Sequence, residues 1–173
     1  WDLAFSKPSE SYPDPDWTRG VLVSKDDYKI YTVEDIASIR NRVHEVERLI
    51  FDTAKRDGKS VTISIPKDPN AAAGAYARDL QRRLGEQGYM VRLVPPVKSK
   101  LTRFAPFSSI AQSGFVHVVK AEWNKSYYDE LESFNGEGKS KDDQVDATSD
   151  CITLLNREIT LPNSMSLPNL STN

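Results

Sequence analysis

The chain has 173 residues, 38% of them hydrophobic and 28% charged, with a net charge of −2. That length buries one core of ordinary size and makes a polar, globular domain. The charge balance excludes a generally polybasic nucleic-acid binder, so any such partner needs a local basic patch. The single cysteine, Cys151, excludes an intramolecular disulfide; its apolar helical surroundings read as core packing in a reducing cytosol. There is no signal peptide and no apolar run long enough to span a membrane. The start at Trp1, with no Met and directly into a strand pattern, reads as a piece of a longer protein.

In chain order, Trp1-Asp2-Leu3-Ala4-Phe5 alternates with period 2 and predicts a short strand. An acid inside such a strand is costly unless it is paired or holds a metal. Pro8, Pro13 and Pro15 make Lys7 to Asp16 a loop. Trp17 to Ser24 and Tyr28 to Val33 predict two more strands about a Lys25-Asp26-Asp27 turn, giving an antiparallel meander. A helix over Ile39 to Arg56 follows from Val43, Val46, Leu49, Ile50 and Ala54, and stops at Asp57-Gly58. Val61 to Ile65 predicts a strand, Ala71 to Gly85 a helix, and Tyr89 to Val94 a strand. Ser99 to Gln112 predicts a helix carrying Lys100 and Arg103, Phe115 to Val119 a short strand, and Glu122 to Phe134 a helix. The last helix runs from about Asp142 to Asn156, and beyond it residues 162–173 read as a disordered tail after a domain spanning 1–161. A hairpin meander followed by β–α alternation makes an α/β architecture, a mixed sheet flanked by helices.

The stretch that concentrates chemistry is Lys141-Asp142-Asp143-Gln144-Val145-Asp146-Ala147. Asp143 and Asp146 are i and i+3, so their side chains share one helix face. Like charges that close repel, which suits a cation between them. The competing reading is that these acids complement the helix dipole and that Asp142 is an N-cap. Asp2, Asp68 and the Asp143/Asp146 pair fall where strand ends meet the rim of such a sheet. Together they suit Mg²⁺ or Mn²⁺, which take oxygen ligands, and a two-ion site. Taken alone, Asp68 between Lys67 and Pro69 reads as an ordinary turn acid. Lys98, Lys100 and Arg103 are either a solvated helix face or phosphate contacts.

In this order the pieces resemble the C-terminal nuclease domain of a tailed-phage large terminase, of RNase H-like (RuvC-like) fold. The matching pieces are Trp1-Asp2-Leu3-Ala4, Asp14-Pro15-Asp16-Trp17-Thr18, Ile65-Pro66-Lys67-Asp68-Pro69, Lys98 to Pro106, Gly114 to Val119, Trp123-Asn124 with Glu130-Leu131 and Phe134, and the closing acidic stretch. The resemblance implies a divalent-metal-dependent endonuclease cutting concatemeric double-stranded DNA during viral packaging. It implies Asp2 and Asp68 as catalytic metal ligands, with a third from the acidic stretch. Asp143 is the first choice and Asp146 fits the i, i+3 geometry. Asp142 is a ligand, a cap or a supporting acid, and Asp16 a ligand or a residue that orients water. Lys98, Lys100, Arg103 and Lys141 are the DNA contacts. Lys141 stands where such proteins often have His.

No Gly-rich phosphate loop is present, so the N-terminal ATPase half expected of a terminase lies outside this sequence. The resemblance further implies a viral portal or procapsid and a small terminase subunit as partners, no membrane, and action in the host cell cytoplasm. The same fold also suits a Holliday-junction resolvase or transposase-like core. A reading of another class is a non-catalytic portal or capsid docking module.

Overall fold

The computed structural model describes residues 1–67, 71–95, 99–138 and 141–157. Five strands and five helices follow one another among them. These are β1 (Thr18–Lys25), β2 (Tyr31–Ile39), α1 (Val43–Asp57), β3 (Thr62–Pro66), α2 (Ala71–Glu86), β4 (Met90–Val94), α3 (Lys100–Gln112), β5 (Val116–Val118), α4 (Asn124–Ser133) and α5 (Asp143–Asn156). The expected mixed α/β architecture is the observed one: β1 and β2 are antiparallel, β2 and β5 parallel, and β3 and β4 parallel. The tail over 162–173 lies outside the described residues.

Three departures from the expected boundaries stand out. Trp1 to Phe5 forms no full strand but a single antiparallel bridge, Asp2 to Arg19, with N–H···O distances of 2.8 and 2.9 Å. Two residues on, the buried Thr18 hydroxyl replaces the ladder: it accepts from Ala4 N at 3.0 Å and donates to Ala4 O at 2.5 Å. On its other side the Trp1 nitrogen donates to the Ser64 carbonyl at 2.9 Å, so this short segment joins β1 to β3. The second hairpin strand starts at Tyr31 rather than Tyr28, because the Asp26 carboxylate accepts from Ile30 N at 2.8 Å and Lys29 turns at φ 67°. Ile39 then belongs to β2, and α1 begins only at Val43.

The core follows the two periodicities of the sequence. Val46, Ile50 and Ala54 of α1, with Leu80 and Leu84 of α2, pack on Ile63 and Ile65 of β3, on Ala37 and on Trp1. Val21, Val33 and Ile36 project from the other face onto Tyr127 of α4 and Ala147 of α5. A fully buried Leu or Ile contributes about 1.5–3 kcal/mol, so this double layer fixes the sheet edges that carry the acids. Gly20 is required by a close approach: a Cβ there would stand 2.7 Å from the Trp1 ring.

Candidate active site

Asp2 enters the site because its neighbour Trp1 is buried and its own backbone is bridged to Arg19. Asp142, Asp143 and Asp146 enter from the head of α5, whose first turns are buried. These four, with Asp16 and Lys100, line one cleft of about 570 Å³. A second cleft of about 570 Å³ lies between β1 and β3, with walls that include Val21, Val23, Ile63 and Leu154. Its lining is the more apolar, and the converging carboxylates put the chemistry in the first.

Burial, followed by the charges of Asp146 and Asp143, pushes the Asp2 carboxyl up to about 7. Burial also pushes Asp143 up to about 6, with Glu130 and Asp16 adding to it, although its Oδ2 accepts from Trp17 N at 3.3 Å. The two acids share one cleft, where the charge of Asp143 adds to the cost of ionising Asp2.

The charges of Asp146 and Asp142 are met by α3. Lys100 Nζ lies 2.7 Å from Asp142 Oδ1 and 2.7 Å from Asp146 Oδ2. Arg103 donates to Asp146 Oδ1 at 2.6 Å and to Asp150 Oδ1 at 3.3 Å. Burial alone would lower the Lys100 pKa, but the bonds and charges of Asp142 and Asp146 outweigh it and raise it. So Asp142, Asp146 and Asp150, at i, i+4 and i+8, are stitched by two cations three residues apart on the facing helix. Asp142 is the N-cap residue of α5, yet its side chain makes no capping bond. Lys100 and Arg103 are engaged with carboxylates in this arrangement. Lys141 Nζ binds Asp16 Oδ1 at 2.8 Å and Asp14 O at 3.1 Å, at the rim of the cleft. Asp68 and Lys98 lie outside the described residues.

Two residues in the machinery carried no assigned role in the sequence. Glu130 of α4 caps α5 from outside: its Oε1 accepts from Gln144 N at 2.5 Å and Val145 N at 3.2 Å, and its Oε2 from Gln144 Nε2 at 2.6 Å. The signal was its place on the apolar stripe Trp123, Tyr127, Glu130, Leu131, where an acid must be satisfied. Asp150 extends the face of Asp143 and Asp146 by one further turn, at i+7, and was legible as such.

The donor set fits Mg²⁺ or Mn²⁺ in kind, since it is made of carboxylate oxygens and already holds an ammonium between two of them. Among the described residues, no three such side chains converge closely enough to chelate one ion as they stand. An ion held by Asp142 or Asp146 would compete with Lys100 for their oxygens.

A mixed sheet with helices on both faces, and acids gathered where the first segment meets the last helix, defines an RNase H-like domain. The chain belongs to the terminase RNaseH-like domain family, which matches residues 1–155. It is similar in structure to the yeast mitochondrial Holliday junction resolvase Ydc2, with TM-score 0.48 and 11% identity over 75% of this chain and 70% of that one. No curated protein sequence matches. The family makes this chain a nuclease of the RNase H fold.

Proposed function

We propose that this domain is the endonuclease of a viral DNA-packaging terminase, hydrolysing double-stranded DNA with two Mg²⁺ or Mn²⁺ ions. The observation that carries the reading is the gathering of Asp2, Asp142, Asp143 and Asp146 in one cleft, from segments some 140 positions apart, with burial pushing the carboxyls of Asp2 and Asp143 up to about 7 and about 6. Family membership supports the nuclease class.

In this reading Asp2 and Asp143 are the principal ligands, with Asp146, Asp142 and Asp68 completing the set and Asp16 at the rim. Bound ions would activate a water for attack on phosphorus and stabilise the leaving oxygen. The chain's own residues prepare the site. Trp17 N fixes one oxygen of Asp143, and Glu130 holds the head of α5 so that Asp142 and Asp143 face the cleft. Asp2 and Asp143 give up protons as they take up positive charge. Lys100 releases its carboxylates and becomes available, with Arg103, Lys141 and Lys98, to the DNA backbone. An N-terminal ATPase domain, a portal or procapsid, a small terminase subunit and the host cytoplasm complete the proposed setting.

The test is cleavage of linear duplex, supercoiled plasmid and four-way junctions in Mn²⁺, Mg²⁺ or EDTA. The reading predicts metal-dependent cleavage of ordinary duplex. Exclusive cleavage of junctions would move the protein to a resolvase role, and metal binding without cleavage to a docking role.

A further inference from the structure

Beside the acidic cleft, β1 and β2 carry an arrangement that the proposed chemistry leaves unused. Arg19 is paired in register with Ser38, and two-residue alternation brings Trp17 and Arg40 to the same face. The guanidinium carbons of Arg19 and Arg40 lie 4.3 and 4.2 Å from the centroid of the Trp17 ring. Burial is the largest cost to the Arg19 charge and Arg40 adds to it across the shared indole, while the charges of Glu130 and Asp143 favour it. Among the described residues Arg19 makes no ion pair and donates to the Ser38 hydroxyl. Among the described residues Arg40 likewise pairs only with Asp14, whose side chain is 67% exposed on the loop before β1, a contact of the kind worth little. The Nε groups of both arginines are buried without an acceptor.

The position of the stack gives it a purpose. The backbone of Trp17 is bonded to Asp143 in the cleft, and Lys141 bridges Asp14 and Asp16 along the same rim. A row of cations thus runs from the stack to the acids, with Asp14 as its exposed counter-charge. A phosphodiester backbone supplies what the row lacks, an anion with acceptor oxygens for planar guanidinium groups.

We propose that Arg19 and Arg40, held against Trp17, form a phosphate seat for the DNA strand entering the acidic cleft, and that the strand displaces Asp14 from Arg40. The seat rests on the nuclease reading, which supplies the DNA. It is read by fluorescence anisotropy on a labelled duplex across a salt series, with Ca²⁺ replacing Mg²⁺. Arg40→Gln and Arg19→Gln should each lower the slope of log K against log salt by about 0.9, the contribution of one phosphate contact to duplex DNA. Arg40→Lys, which keeps the charge, should retain the slope, and Asp14→Asn should tighten binding. Melting temperatures close to wild type accompany these results if the effect is on DNA alone. Should Arg19→Gln prove unstable, Arg40→Gln and Asp14→Asn decide the matter. Unchanged slopes in a wild-type background that binds DNA would overturn the seat and leave the nuclease reading standing. Failure of the wild-type domain to bind duplex at all would overturn both.

Discussion

Lys100 Nζ lies 2.7 Å from Asp146 Oδ2, and the same ammonium lies 2.7 Å from Asp142 Oδ1. The cation that two close carboxylates call for is, in the metal-free protein, a lysine of the chain. At the proposed metal site an incoming divalent ion would compete with it. Lys100→Ala should therefore cost the metal-free domain about 1 kcal/mol through the uncompensated acids, while the rise in melting temperature on adding Mn²⁺ becomes larger. Thermal melts with and without Mn²⁺ measure both, and an unchanged Mn²⁺ effect would remove Lys100 from competition with the metal.

Glu130 holds three hydrogen-bond donors at the head of α5. Glu130→Ala leaves two backbone N–H groups there without an acceptor, at a cost of about 3 kcal/mol. In a domain of this size that is on the order of 10 °C in melting temperature. Glu130→Gln keeps an oxygen acceptor and should lose less. Equal losses in the two variants would mean that packing, not capping, is what Glu130 supplies.

The carboxyls of Asp2 and Asp143 titrate near 7 and 6 in the folded chain, above the ordinary value of 3.8. A raised pKa means that the folded state keeps protons which the unfolded state has lost. Stability of the metal-free domain should then fall as pH rises from about 4 through about 7. Metal binding runs the opposite way, since it needs the ionised groups, and should strengthen over pH 6 to 7. Melts across this range with Asp2→Asn as reference measure the contribution, because that variant should flatten the dependence. A slope identical in wild type and Asp2→Asn would reject it.

Gly20→Ala places a Cβ 2.7 to 2.8 Å from three atoms of the Trp1 ring. The ring must move, and Asp2 follows it on the chain. This substitution, remote from any ligand, should weaken Mn²⁺ binding as well as stability, which calorimetric titration of Mn²⁺ reads directly. Loss of stability with unaltered Mn²⁺ affinity would separate the Trp1 seat from the site.

Much of this was legible in the residues because their patterns are strong. Val46, Ile50 and Ala54 at helical spacing, and Val21 and Val33 in the two apolar runs of the hairpin, indicate helix and strand types that agree with the fold, whereas Ile36 lies beyond the expected end of its strand. The acidic stretch led to α5 and, with Asp2, to one cleft. The first strand was overread because its continuation depends on a hydroxyl from Thr18, fourteen residues away, which no local pattern records. Lys100 and Arg103 looked like free cations because their partners are on α5, more than forty residues away. Glu130 as a cap is likewise a tertiary relationship. Helix capping from outside the helix leaves no mark in the capped sequence itself.

The measurement closest to the central claim is nicking of supercoiled plasmid by the wild-type domain, Asp2→Asn and Asp143→Asn, alongside calorimetric titration of each with Mn²⁺. The account predicts nicking by wild type that needs Mn²⁺ or Mg²⁺ and stops in EDTA, with both variants losing nicking and Mn²⁺ binding together while remaining folded. Nicking that persists in folded Asp2→Asn and Asp143→Asn with normal Mn²⁺ binding would contradict it and move the active site away from this cleft.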